Sequence, residues 1–167
     1  MRNYLIKTVG ATIAGTTVMT LSSALMSLGE QDFREPKHLR RLVGRLLPTL
    51  SSETKTLTGW AGHYALGMAF SLIYVMLWEK KLLKPSVGSA ILLGLASSVV
   101  GIGIWKTTFK LHPFTPFMDY KRFYLQRIPA HLVFAAFATV GYVLTKKYLD
   151  NRPSNVAENP TRNKLLR

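Results

Sequence analysis

Apolar positions in this chain are gathered into blocks, and the charged positions lie between them. Four blocks are long enough to cross a bilayer, because a helix of about 20 apolar residues spans the hydrocarbon core and pairs its own backbone donors and acceptors. They run from Tyr4 to Leu28, Gly59 to Trp78, Val87 to Trp105 and Ile128 to Tyr148. Trp60, Trp78, Trp105, Tyr124 and Tyr148 fall near the predicted ends, where an amphipathic ring prefers the headgroup region. The pattern predicts an all-α polytopic membrane protein, with residues 1–148 forming four transmembrane helices as two hairpins. The last residues, 149–167, are too polar to build a core and are expected to be a mobile tail.

The connections carry patterns of their own. Between spans one and two, Leu39, Leu42, Val43, Leu46 and Leu47 recur at helical spacing, with Lys37, Arg40, Arg41 and Arg45 on the other side and Pro36 suited to a first turn. Residues 36–48 therefore predict an amphipathic helix in the membrane interface, its four bases contacting anionic lipid headgroups. A connecting helix packed on the protein itself fits the same pattern. From Thr107 to Arg127, aromatic residues alternate with bases and Pro113 and Pro116 interrupt any long helix, so this segment is expected to skim the membrane surface. The short EKKLLKP turn predicts that spans two and three are antiparallel neighbours.

Small residues mark the faces where helices meet. Gly10 with Ala14, and Ala11 with Gly15, recur four apart in span one; Gly67 lies in span two, and Gly94 and Gly101 in span three. Such spacing lets backbones approach closely in lipid, where packing drives association. Span one also allows another reading, because Arg2 and Lys7 followed by an apolar run and SSALMS resemble a secretory signal with a cleavage site.

Charge changes the picture less than its size suggests. The 22 Lys and Arg against 8 Asp and Glu give a net charge of +14. The bases cap apolar blocks and form no continuous stripe with stacking aromatics, so no nucleic-acid partner is expected. Across the four spans the 22 bases divide equally between the two sides, and the positive-inside rule does not decide orientation. The KK pairs lying immediately at helix ends favour cytoplasmic termini, while the basic helix favours the opposite. With 0 cysteines, disulfides, thiolate metal sites, a cysteine nucleophile and a lipoprotein anchor are excluded.

The candidate chemistry is histidine. His63 and His131 fall at similar depth on spans that run in the same direction, and GHYALGMAFSLIYV aligns with AHLVFAAFATVGYV as a weak internal repeat. That alignment matches His63 with His131, Gly67 with Ala135 and Tyr74 with Tyr142, each set on one helical face. It would relate the two hairpins by an axis along the membrane normal. Three roles fit the pair: polar residues at a wet boundary, ligands to haem iron or a metal ion, or groups that handle protons or substrate. No carboxylate falls within the predicted spans to complete a metal shell. Asp119 and Glu53, in connecting segments, are the most plausible acidic partners on that side. Nucleophile-elbow, zinc-protease, phosphate-loop and dinucleotide motifs are all missing, so no enzyme and no catalytic residue is expected.

Taken together, GATIAGTTVMT in span one, GHYALGMAFSLIY in span two and HLVFAAFATVGY in span four resemble the YagU-like families of small bacterial inner-membrane proteins. Ala135 departs from the glycine of that pattern. The resemblance implies location and architecture, with no defined activity. The resulting expectation is a multi-pass inner-membrane protein, structural or accessory in role, forming a homo-oligomer or joining a larger membrane complex and needing no cofactor. A redox or transport protein using His63 and His131, with Tyr74 and Tyr142 on their faces, is the alternative.

Overall fold

The computed structural model describes residues 2–27 and 32–152. Within these, the chain forms five helices: α1 (Arg2–Met26), α2 (Glu35–Leu46), α3 (Ser52–Glu79), α4 (Val87–Leu111) and α5 (Tyr120–Asp150). All except α2 are long and apolar enough to cross a membrane. Of the predicted tail, residues 153–167 lie outside the described residues.

Helices extend past the predicted spans because a helix need not stop where its apolar block does. The added turns of α3 (SETKTLT) are polar, and those at the end of α4 and the start of α5 are aromatic and basic. Most of the segment expected along the membrane surface is thereby absorbed into α4 and α5. Phe109 and Phe123 are drawn inward to pack with Trp105, Phe33 and Leu42 as a second apolar cluster. Local signals set the helix ends. Ser51, Ser86 and Asp119 each accept a hydrogen bond from the third residue of the helix that follows. Helix α3 ends with Lys81 at φ 58°, where the amides of Lys81 and Leu82 close onto the carbonyls of Trp78 and Leu77.

The four long helices run alternately up and down. Helix α1 lies antiparallel along α5, with Gly10 beside Gly141 and Ser23 beside Gln126. It also meets α3, where Thr17 bonds Tyr64 and Lys7 pairs with Glu79. Backbone proximity is most extensive between α1 and α5, then between α4 and α5, α2 and α3, and α1 and α3. Helices α3 and α4, joined by the short turn, meet through long side chains instead. The Tyr74 hydroxyl lies 3.0 Å from the Leu93 carbonyl oxygen and 2.8 Å from Ser97 Oγ.

Burial is inverted relative to a water-soluble bundle. Leu5, Ile13, Leu21, Leu25, Ile73, Leu92, Val99 and Leu144 face outward, while Thr8, Thr12, Thr16, Ser23, Ser71, Ser98 and Thr139 are buried. Water would penalise the first set and lipid the second if it were turned outward, so the surface matches a hydrocarbon solvent. Several buried hydroxyls bond backbone one turn earlier, as Thr12 does to the Thr8 carbonyl and Thr139 to that of Ala135, while those of Thr16 and Ser71 have no partner among the described residues. Helix α2 buries Glu35, Pro36, His38 and Leu42, with Leu39 and Val43 half-buried and Leu46 exposed. Its inner face is thus partly polar, and the leucine stripe alone does not define it.

The α1–α5 crossing admits no side chain at Gly141, where a Cβ would lie 2.5 Å from the Gly10 carbonyl oxygen. Gly103 on α4 has open space around it. Gly141→Leu is therefore expected to destabilise the bundle by about 1–3 kcal/mol or prevent folding. Gly103→Leu should stay within about 0.5 kcal/mol of the parent. Unfolding midpoints in mild detergent measure both.

Candidate functional site

A single carboxylate organises the interior. Glu35 opens α2, with Pro36 behind it in the first turn, and it is only 6% exposed. Its Oε1 accepts from Arg127 of α5 at 2.5 Å and from Trp105 Nε1 of α4 at 3.3 Å. Its Oε2 accepts from His63 Nδ1 of α3 at 3.0 Å. Helix α1 joins through Thr20 Oγ1, 2.8 Å from His63 Nε2, and through Ser23, which accepts from Gln126. Arg127 is fully buried; it donates to the Phe33 carbonyl oxygen and to Gln126, and lies 4.4 Å over the Phe123 ring. A guanidinium deprived of water in this way requires acceptors and a counter-charge, and Glu35 supplies both.

His63 and His131 each lie eleven residues beyond the first residue of their helices, Ser52 and Tyr120, about 16 Å along the axis. They are 2% and 4% exposed, so neither is at a wet boundary of the bundle. Both line one small cavity with Glu35, Trp105 and Thr16. At about 20 Å³ it has room for about one water molecule. His131 Nδ1 and Thr16 Oγ1 have no hydrogen-bond partner. The His131 ring rests against Phe70, and its Nε2 lies where a Cβ on Gly101 would come within 2.5 Å.

Hydrogen-bond accounting at Thr20 allows two protonation states of His63. Thr20 Oγ1 is 2.8 Å from the Thr16 carbonyl oxygen and 2.8 Å from His63 Nε2, and it has one proton to give. If that proton goes to the carbonyl, Nε2 must donate to Thr20 while Nδ1 donates to Glu35, and the ring is an imidazolium. If it goes to Nε2, the ring is neutral. Rotation of one hydroxyl satisfies either state.

The remaining sequence candidates are distributed elsewhere. Tyr74 bonds α4, and Tyr142 donates to Glu79 Oε1 at 2.6 Å while stacking on Trp78; neither lines the histidine cavity. Gly10 and Gly15 face α5, Gly67 faces Thr16, and Gly94 and Gly101 face Leu132 and His131. Ala14 approaches Gly141. Lys37 pairs with Asp32, Arg40 donates to Ser52, and Arg45 clamps the Phe114 and Thr115 carbonyls. Asp119 caps α5 and Glu53 is exposed, so the acidic partner of His63 is neither of these but Glu35. Sequence reading placed Glu35 and Arg127 among ordinary connecting charges. One signal was present: Arg127 sits one turn before His131 and shares its face. Among the described residues, no group of three or more His, Asp or Glu side chains is placed to hold a metal ion. Axial ligation of haem iron by His63 would break one of its two hydrogen bonds.

No family model, no curated protein and no solved structure matches the chain.

Burial pushes the Glu35 carboxyl up, but the Arg127 charge and the His63 hydrogen bond outweigh it and hold it well below the usual carboxylate range. Removing this group leaves Arg127 uncompensated, so Glu35→Ala should cost about 3–5 kcal/mol, with much of the loss restored in Glu35→Leu/Arg127→Met. Equilibrium unfolding of the three proteins in detergent measures this. The pKa of His38 is lowered too: burial, with the Arg127 and Arg41 charges, outweighs its bond to the Asp32 carbonyl. A histidine whose folded value is depressed contributes stability above its unfolded value, about 6.5, and loses it as pH falls toward the folded value. Melting midpoints should therefore drop from pH 7 to pH 5, and less steeply in His38→Phe.

Proposed function

We propose that this chain is a multi-pass protein of a bacterial inner membrane, structural or accessory in role, in which Glu35 locks a basic surface helix onto the bundle. The observation that carries the reading is the origin of the groups on that one carboxylate: α5, α4 and α3 each contribute a donor. Helix α2 is thereby fixed to all four of the long apolar helices, α1 being tied in through Thr20. The donors and acceptors of Glu35 and His63 are spent on one another, and the adjoining cavity has space for about one water, which suits a lock better than a turnover site. The resemblance to the YagU-like families agrees in location and architecture.

Association with a second copy or another membrane protein is the expected use of the outward face of α4, where Gly88 and Gly103 have open space beside exposed Val99 and Leu92. The termini are assigned to the cytoplasm, which places α2 on the opposite surface. Purification from native membranes in mild detergent tests the role: an oligomer or stoichiometric partner, lost in Glu35→Ala, is expected. A clean monomer of the parent protein would sink the reading.

A second reading rests on the hydroxyl of Thr20, which accommodates both a charged and a neutral His63, and on the unpaired His131 nitrogen at the same cavity. In this reading the cluster takes up and releases a proton within the membrane. It predicts a proton flux in proteoliposomes, read by an internal pH dye, that disappears in His63→Ala/His131→Ala. Equal flux from the parent and the double variant removes it.

A further inference from the structure

The outer surface of the α2–α3 pair carries a feature that the lock does not use. The two helices pack antiparallel, with Pro36 and Arg40 against Gly59 and Lys55 lying over Gly44. Along their junction Lys37, Arg40, Arg41 and Lys55 line an open cleft of about 410 Å³. A smaller hollow of about 130 Å³ continues from Lys37 and Arg40 to Arg34, Thr56 and Trp60. Five cations thus share one short stretch of surface, and among the described residues the carboxylate paired with them there is Asp32, which bridges Arg34 and Lys37. A further hollow of about 500 Å³ at the first turns of α3 is lined by Ser52, Glu53, Thr56, the exposed Leu57 and Trp60.

We propose that this junction is a binding site for one anionic phospholipid, its phosphate held by Lys37, Arg40, Arg41 and Lys55 and its glycerol end set against Trp60. The site rests on the membrane reading above and sharpens it from diffuse attraction to a defined pocket. Three of the cations are positioned by their own contacts. Arg40 donates to Ser52 Oγ at 2.9 Å, Lys55 to the Pro48 carbonyl at 2.8 Å, and Lys37 pairs with Asp32 at 2.7 Å. A guanidinium has five N–H donors and an ammonium three, so each retains donors for phosphate oxygens after these bonds. Trp60 borders the cationic hollow and is 42% exposed, as a side chain at the boundary between headgroup and chain should be. A free phosphate would use the cations and leave Trp60 without a role. Arg45, on the same helix, is excluded because it lines neither hollow; its Nη1 reaches the Phe114 and Thr115 carbonyls instead.

The test uses the full chain in a neutral detergent, titrated with short-chain phosphatidylglycerol, short-chain phosphatidylcholine and inorganic phosphate, with bound lipid counted by native mass spectrometry. Saturable binding of one phosphatidylglycerol is expected, with the other two at least about tenfold weaker. Arg40→Gln/Arg41→Gln should weaken that binding by about tenfold or more, Trp60→Ser should weaken it without changing the weak phosphate binding, and Arg45→Gln should leave it unchanged. Equal affinity for phosphatidylcholine, equal affinity for inorganic phosphate, or a loss in Arg45→Gln as large as in the arginine pair would each overturn the proposal. Extraction of the parent chain from native membranes by alkaline carbonate would instead overturn the membrane reading itself, whatever the titrations gave.

Discussion

The arrangement depends on burying a carboxylate and a guanidinium together. Either ion alone in a lipid-surrounded interior would cost several kcal/mol, far more than one favourable contact returns. Glu35 and Arg127 avoid this by meeting at 2.5 Å and by taking further partners in Trp105, His63, Gln126 and the Phe33 carbonyl, with Arg127 Nε left unpaired. Because those partners belong to different helices, satisfying the charges requires the helices to be in place. The pair is therefore a condition on the whole fold more than a source of stability in its own right.

The rest of the interior follows the same logic at lower stakes. Lipid offers no hydrophobic incentive for helices to associate, so contact has to come from close packing and internal hydrogen bonds. Glycines let α1 approach α5, while threonines and serines turned inward bond within their own helices. Toward the opposite end, Lys7, Glu79 and Tyr142 form a second polar contact, less buried than the first. Polar contacts thus tie α1, α3 and α5 at two levels, with the aromatic stack of Tyr74, Trp78, Phe134 and Tyr142 between and beside them.

Helix α2 is where architecture and surface chemistry meet. Its inner side delivers Glu35 and His38 to the bundle, and its outer side holds Lys37, Arg40 and Arg41 beside Lys55 of α3. Fixing the first side fixes the second. Cations on a freely moving helix would give only diffuse attraction to an anionic surface, whereas cations held in register with Trp60 form a defined pocket.

The sequence by itself determined the four spans, the placement of a basic helix between the first two and the equal depth of His63 and His131, because hydropathy and helical periodicity are local properties of the chain. It left Glu35 and Arg127 among ordinary connecting charges, since nothing within a few residues of Glu35 indicates burial and the one hint at Arg127 is that it shares a helical face with His131. Their partnership joins positions 92 residues apart and exists only once the helices are docked. The pairing of α1 with α5 was likewise beyond sequence, because loop length relates neighbours along the chain and these two are its ends. Tertiary structure decided which polar groups face one another, and burial of a charge is settled by that choice of partner.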